Sequence, residues 1–154
     1  MRYFHSARPA PGGSDDRERQ PHHRDVYSVA LLRRSDAAIE WLERAFGFTR
    51  RLVVPGPDGT VLHSELSFGN GVVMIGSTKP DEKRLSPNHL GGCNQVLSAY
   101  VADPEAHYKR AIEAGAKIIR ELRTEEYGAR GFMCEDPEGH IWYFGDYVPG
   151  AHWE

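Results

Sequence analysis

Apolar and polar positions follow two rhythms along this chain, and the switch between them occurs twice. Residues 25–33 (DVYSVALLR) form a short, mostly apolar run that predicts a strand. Ala38, Trp41, Leu42, Ala45 and Phe46 then recur at three- and four-residue spacing, which places them on one helix face. Ser35 supplies a cap for that helix, Asp36 an acidic first turn and Gly47 a C-terminal stop. Trp41 lies on the apolar face and reads as core rather than as a ligand contact. Short strands are predicted at 50–54, 61–68 and 71–75, separated by the turns Pro55-Gly56-Pro57-Asp58-Gly59 and Gly69-Asn70-Gly71. The same order then returns. A strand at 94–101 leads to a helix capped by Asp103, opened by Pro104 and closed by Gly115. A strand at 117–122, a loop at 124–127 and a hairpin of 131–134 with 141–144 complete the second half.

That last hairpin carries the clearest turn. In Asp136-Pro137-Glu138-Gly139, Pro137 presets the first corner and Gly139 accepts a positive φ. Trp142 and Phe144 flank Tyr143 and predict a core-facing pair, with Tyr143 on the other face. Between the halves, residues 77–92 (STKPDEKRLSPNHLGG) are polar and rich in Pro and Gly, predicting a linker or lid.

The halves register without gaps at an offset of 68 residues, set by Gly47 and Gly115. The offset also brings Gly71 onto Gly139, Tyr27 onto Gln95 and Ile75 onto Tyr143. One supersecondary unit repeated is its physical meaning. The prediction is an α+β chain of two βαβββ modules in tandem, forming a curved mixed sheet around a concave pocket. The single domain spans 25–147, with module 1 at about 25–77, a linker at 78–92 and module 2 at about 93–147. Residues 1–24 have neither period and read as a flexible leader; His22-His23 within it read as solvated.

Composition narrows the field only a little. A net charge of −3 gives no electrostatic footprint for nucleic acid, and no apolar run approaches the roughly 20 residues of a membrane span. Cys93 and Cys134 belong to no CxxC pattern and read as reduced thiols of a cytoplasmic protein.

The pattern resembles the vicinal oxygen chelate superfamily, which includes glyoxalase I, bleomycin-resistance proteins and extradiol dioxygenases. The resemblance covers about residues 26–147. It rests on the stretch from Ala37 to Phe48, on Glu113-Ala114-Gly115-Ala116, on Tyr127-Gly128-Ala129-Arg130 and on Asp136 to Trp142. It implies a fold that hosts lyases, dioxygenases, epimerases and drug binders, so the activity must be argued from the site. In metal-dependent members, His, Glu or Gln from the first and last strands of each module hold one divalent cation. The resemblance places those positions at Tyr27, Ile75 (Met74 if the register slips), Gln95 and Tyr143. Only Gln95 offers a usual donor, so no metal and no cofactor are expected.

The remaining candidates are polar and aromatic. His63, Glu65 and Ser67 alternate on one strand face. His63 and Glu65 read either as an acid–base pair in the pocket or as a solvated or interface-lining face of an edge strand. Arg130 with Tyr127 offers a clamp for an anionic or planar ligand, with a surface or turn-fixing role as the alternative. His140 is expected only to hydrogen-bond backbone. The expected function is binding of a small, planar or aromatic molecule by Tyr27, Ile75, Gln95, Tyr143, Arg130 and Tyr127. An enzyme of glyoxalase type with a non-standard site is the alternative. The resemblance further implies a homodimer.

Overall fold

Ser28–Leu32 (β1) runs parallel to Gly71–Ser77 (β4), and this pairing fixes the first module. The computed structural model describes residues 26–151, so the predicted leader lies outside the described residues. After β1 come helix α1 (Ser35–Phe46), β2 (Thr49–Pro55) and β3 (Val61–Phe68), giving a sheet ordered β1-β4-β3-β2. Beyond a connection holding the four-residue helix α2 (Pro87–Leu90), the unit repeats as β5 (Val96–Tyr100), α3 (Pro104–Glu113), β6 (Lys117–Thr124), β7 (Arg130–Glu135) and β8 (Ile141–Gly145). The second sheet is ordered β5-β8-β7-β6. These are the two tandem βαβββ modules, with two four-stranded mixed sheets in place of one continuous sheet.

Local chemistry sets the element ends. Gly47 ends α1 at φ 77°, with its N–H donating to the Glu43 carbonyl. The structure starts α1 at Ser35 and puts Arg34, which makes no side-chain cap bond, in the capping position. Asp103 does cap α3, its carboxylate accepting from the Ala106 N–H at 2.9 Å. The β7–β8 turn is organised by Asp136. Its Oδ1 accepts from the backbone N–H groups of Glu138 and His140, and its Oδ2 accepts from the Trp142 indole at 3.0 Å. His140 is 4% exposed and its Nδ1 lies 3.3 Å from Asp136 Oδ2, so it belongs to this turn.

The modules meet through their helices. The Trp41 indole donates to the Ala114 carbonyl at 2.9 Å, and Arg110 donates to the carbonyls of Arg44 and Glu43, both at 2.8 Å. Around these contacts lies an aromatic core of Phe46, Phe48, Phe132, Trp142 and Phe144, drawn from both modules. The linker is tied down as well. Asn88 donates to the carbonyls of Pro137 and Glu138, and Arg33 pairs with buried Glu138 at 3.2 Å. Cys93 and Cys134 are both free thiols.

Candidate functional site

Each sheet turns one face to the helices and one face away from them. In module 1 the outward face is set by cross-strand partners: Val29 beside Met74, Met74 beside Glu65, Glu65 beside Leu52, and His63 beside Val54. Val29, Leu52 and Val54 are exposed there although apolar. On this face His63 Nε2 lies 3.1 Å from Glu65 Oε1. The structure therefore brings the two candidate acid–base residues together, and the strand that carries them is central rather than an edge strand, since β3 lies between β2 and β4.

In module 2 the outward face carries Ser98 beside Tyr143, Tyr143 beside Met133, and Met133 beside Arg120. The Tyr143 ring lies down over two glycines. A Cβ on Gly131 or Gly145 would come within 2.6 or 2.7 Å of its Cζ, so only glycine at both positions leaves room for the ring. Arg120 covers the other side, its guanidinium carbon 5.7 Å from the ring centroid. Burial, followed by the neighbouring Tyr127 and Glu125, pushes the Tyr143 phenol up to about 12, which keeps it protonated and a donor.

Two predicted site residues require correction. Ile75 is 1% exposed and packs in the core, because it pairs with Ala30 on the helix-facing side. The outward position is held by Met74. The β7–β8 turn is one residue longer than the β3–β4 turn. As a result β4 matches β8, and β1 matches β5, at one residue more than the offset of 68. Val96, and not Gln95, is therefore the equivalent of Tyr27. Gln95 lies in a groove of about 300 Å³ beside Val29, Leu31 and the linker, and its carbonyl accepts from the Cys93 thiol.

Tyr27 stands just before β1, 40% exposed, on the alternation that includes Val29. Tyr127 caps the β6–β7 loop, 64% exposed and edge-on to Tyr147 at 5.5 Å. Arg130 is committed elsewhere: its guanidinium pairs with Glu105 and reaches Thr124 Oγ1 at 3.3 Å, while its backbone N–H donates to Asp146. The arginine that serves Tyr143 is Arg120. Bulges in the β6–β7 pairing on either side of Arg120 turn it to the outward face, away from the alternation set by Ile118. No spacing rule in the sequence announces those bulges.

The equivalent outward positions on the first and last strands of each module are therefore Tyr27, Met74, Val96 and Tyr143. Two phenols, a thioether and an isopropyl group do not make a donor set for the divalent cation of the superfamily's metal-dependent members. Among the described residues, no group of three or more His, Cys, Asp or Glu side chains is arranged to hold a metal.

The model of the Glyoxalase/Bleomycin resistance protein/Dioxygenase superfamily matches residues 29–144, and the chain belongs to that superfamily. Uncharacterized protein Mb0911c of Mycobacterium bovis is 33% identical over 115 residues, which cover 73% of this chain and 76% of that protein. Uncharacterized protein Rv0887c of Mycobacterium tuberculosis matches equally, over 68% of its own length. Among solved structures, TioX from Micromonospora sp. ML1 superposes with a TM-score of 0.67 at 31% identity, covering 82% of this chain and all of that one (100%). A glyoxalase/bleomycin resistance protein/dioxygenase family enzyme from Burkholderia phytofirmans PsJN shares the fold at 20% identity, with a TM-score of 0.62 over 79% of this chain and 97% of that one.

Proposed function

We propose that this chain binds a small planar or aromatic molecule on the outward sheet faces, without a divalent metal, as a homodimer in the cytoplasm. The observation that carries the reading is Tyr143, laid flat over Gly131 and Gly145 where metal-dependent relatives place a carboxylate. A phenol ring there supplies no usual metal donor, and because it is buried, the exposed ring surface beside it is that of Tyr27, 40% exposed. Met74 and Tyr27 support it at the equivalent positions, since a thioether and a second ring both suit a flat apolar ligand. The dimer is supported by the exposed apolar residues of both outward faces (Val29, Leu52 and Val54 in module 1, Val96 and Tyr100 in module 2). A second copy laid on them buries those residues and encloses the ligand between modules. No described helix is long and apolar enough to cross a membrane. The domain of this reading spans 25–147.

The test is a titration with 2-naphthol as a generic planar probe. Saturable binding that survives EDTA, and that weakens by about 1–3 kcal/mol in Tyr143→Ala, is the expected result. Turnover of the hemithioacetal of methylglyoxal and glutathione that appears only with added divalent metal would overturn the reading.

A second reading is favoured by one observation. His63 and Glu65 lie 3.1 Å apart beside Met74, a distance at which the carboxylate orients the imidazole as a general base. In that case the chain is a lyase or isomerase of glyoxalase type whose proton transfer runs through His63, and His63→Gln abolishes turnover while leaving 2-naphthol binding intact.

A further inference from the structure

β5 is the last strand of its sheet, and among the described residues no strand pairs with its free edge. That edge borders a cleft of about 420 Å³ between the modules. The residues of β5, Val96 to Tyr100, line the cleft consecutively. A strand that turned one face to a cavity would line it with alternate residues, so the cleft meets the backbone edge of β5. The β3–β4 turn, Gly69-Asn70-Gly71, lines it as well, and Phe48, Phe68 and Trp142 give it an aromatic wall. Their rings pack as one cluster, with Phe48 5.1 Å from Phe68 and 5.4 Å from Trp142 between centroids. The direction of each backbone group on β5 follows from one bond. The Val101 N–H donates to the Gly145 carbonyl at 2.9 Å, towards β8. In a parallel pair, the N–H and C=O of one residue point to the same neighbour, and those of the next residue point the other way. Leu97 and Ala99 therefore face β8 with Val101, while the N–H and C=O of Ser98 face the free edge, midway along it.

We propose that this cleft binds a planar lactam, a flat ring whose cis amide carries its N–H and C=O side by side on one rim. The Ser98 N–H donates to the lactam oxygen, and the lactam N–H donates to the Ser98 carbonyl. These are the two bonds that an added antiparallel strand makes with one residue of an edge. The ring system packs against Phe48, Phe68 and Trp142. A volume of about 420 Å³ falls within the roughly 300–1,000 Å³ of small-ligand sites, and an apolar wall with a few directed polar groups is their usual make-up. The backbone pair sets specificity, because a ring without the N–H leaves the Ser98 carbonyl unpaired beneath it. The cleft is distinct from the outward sheet faces. Leu97 and Trp142, 8% and 3% exposed, line it on the helix side, and neither Met74 nor Tyr143 is among its lining residues. This inference therefore goes beyond the proposed function and does not depend on it.

The test titrates the full chain with 2-quinolinone and with coumarin, which has the same outline and carbonyl but a ring oxygen in place of the N–H. The expected result is saturable binding of 2-quinolinone, at least tenfold tighter than coumarin. Ser98→Pro removes the other half of the pair. Its N–H points away from β8, so proline costs no bond within the sheet, and edge strands accept it there. That variant should bind 2-quinolinone at least tenfold more weakly than the original chain. Amide hydrogen exchange followed by NMR reads the same bond without a substitution, and saturating 2-quinolinone should slow exchange at Ser98 at least tenfold. This measurement decides if Ser98→Pro folds poorly. Absence of 2-quinolinone binding, equal affinity for the two probes, or exchange at Ser98 unchanged by 2-quinolinone overturns the lactam site. Binding of 2-naphthol on the outward faces is untouched by any of these results.

Discussion

Trp142 and Tyr143 are neighbours in sequence with opposite surroundings. Trp142 is 3% exposed, packs against Phe46, Phe48 and Phe144, and donates its indole N–H to Asp136. Trp142→Ala should cost about 3–5 kcal/mol of stability, the usual loss for an aromatic core side chain. Tyr143→Ala should cost clearly less, and Tyr143→Phe should be close to neutral, because the hydroxyl it removes makes no aligned hydrogen bond. Thermal denaturation of the three variants decides this; equal loss for Trp142→Ala and Tyr143→Ala would contradict the assignment of faces. His107 provides a pH prediction. Its imidazole lies among Phe46, Phe68, Phe132 and Phe144, with ring centroids 4.4–6.2 Å away. Burial, helped by Arg110, pushes it down to about 4 from an ordinary 6.5. The unfolded chain takes up this proton below 6.5 and the folded chain resists it, so this contribution to stability is complete above 6.5 and is lost as pH falls towards 4. In His107→Leu the melting temperature should fall less steeply across that window; an unchanged slope would remove His107 from the account.

At the scale of elements, the modules are joined by reciprocal bonds at the helix C-termini. Arg110 of α3 donates to two carbonyls of the last turn of α1, where a cation also opposes the negative end of the helix dipole. Arg110 also explains Gly47 a second way, since a Cβ there would meet Arg110 Nη1 at 2.6 Å. Arg110→Ala should lower stability by about 1 kcal/mol, read as a drop of about 2–4 °C in the melting temperature. No change in melting would mean that the aromatic core alone holds the modules together. Most of this level was legible in the sequence. The αL stop at Gly47, the Asp103 cap and the Asp136 turn are local chemistry, written in a few adjacent residues. The positions facing the site were less legible, for a geometric reason. Strand faces alternate with every residue, so the extra residue in the β7–β8 turn was enough to shift the counterpart of Tyr143 from buried Ile75 to Met74. The β6 bulges hid Arg120 in the same way, while Arg130, for which the sequence left a ligand clamp and a surface or turn-fixing role open, pairs with Glu105.

For the whole molecule, the exposed apolar residues of the two outward faces predict assembly. Light scattering of the 17.3 kDa chain should report twice that mass at micromolar concentration. A Val29→Asp, Val54→Asp double variant should shift the population towards single chains while the aromatic core remains folded. The proposed stacking mode needs no cation, whereas the chemistry of metal-dependent members of the superfamily needs about three good donors on one. Native mass spectrometry of untagged protein, purified without chelators, tests that claim most directly. The account predicts a dimer with well below one divalent metal per chain, able to take up added 2-naphthol. A stoichiometric metal that survives mild chelation would contradict it.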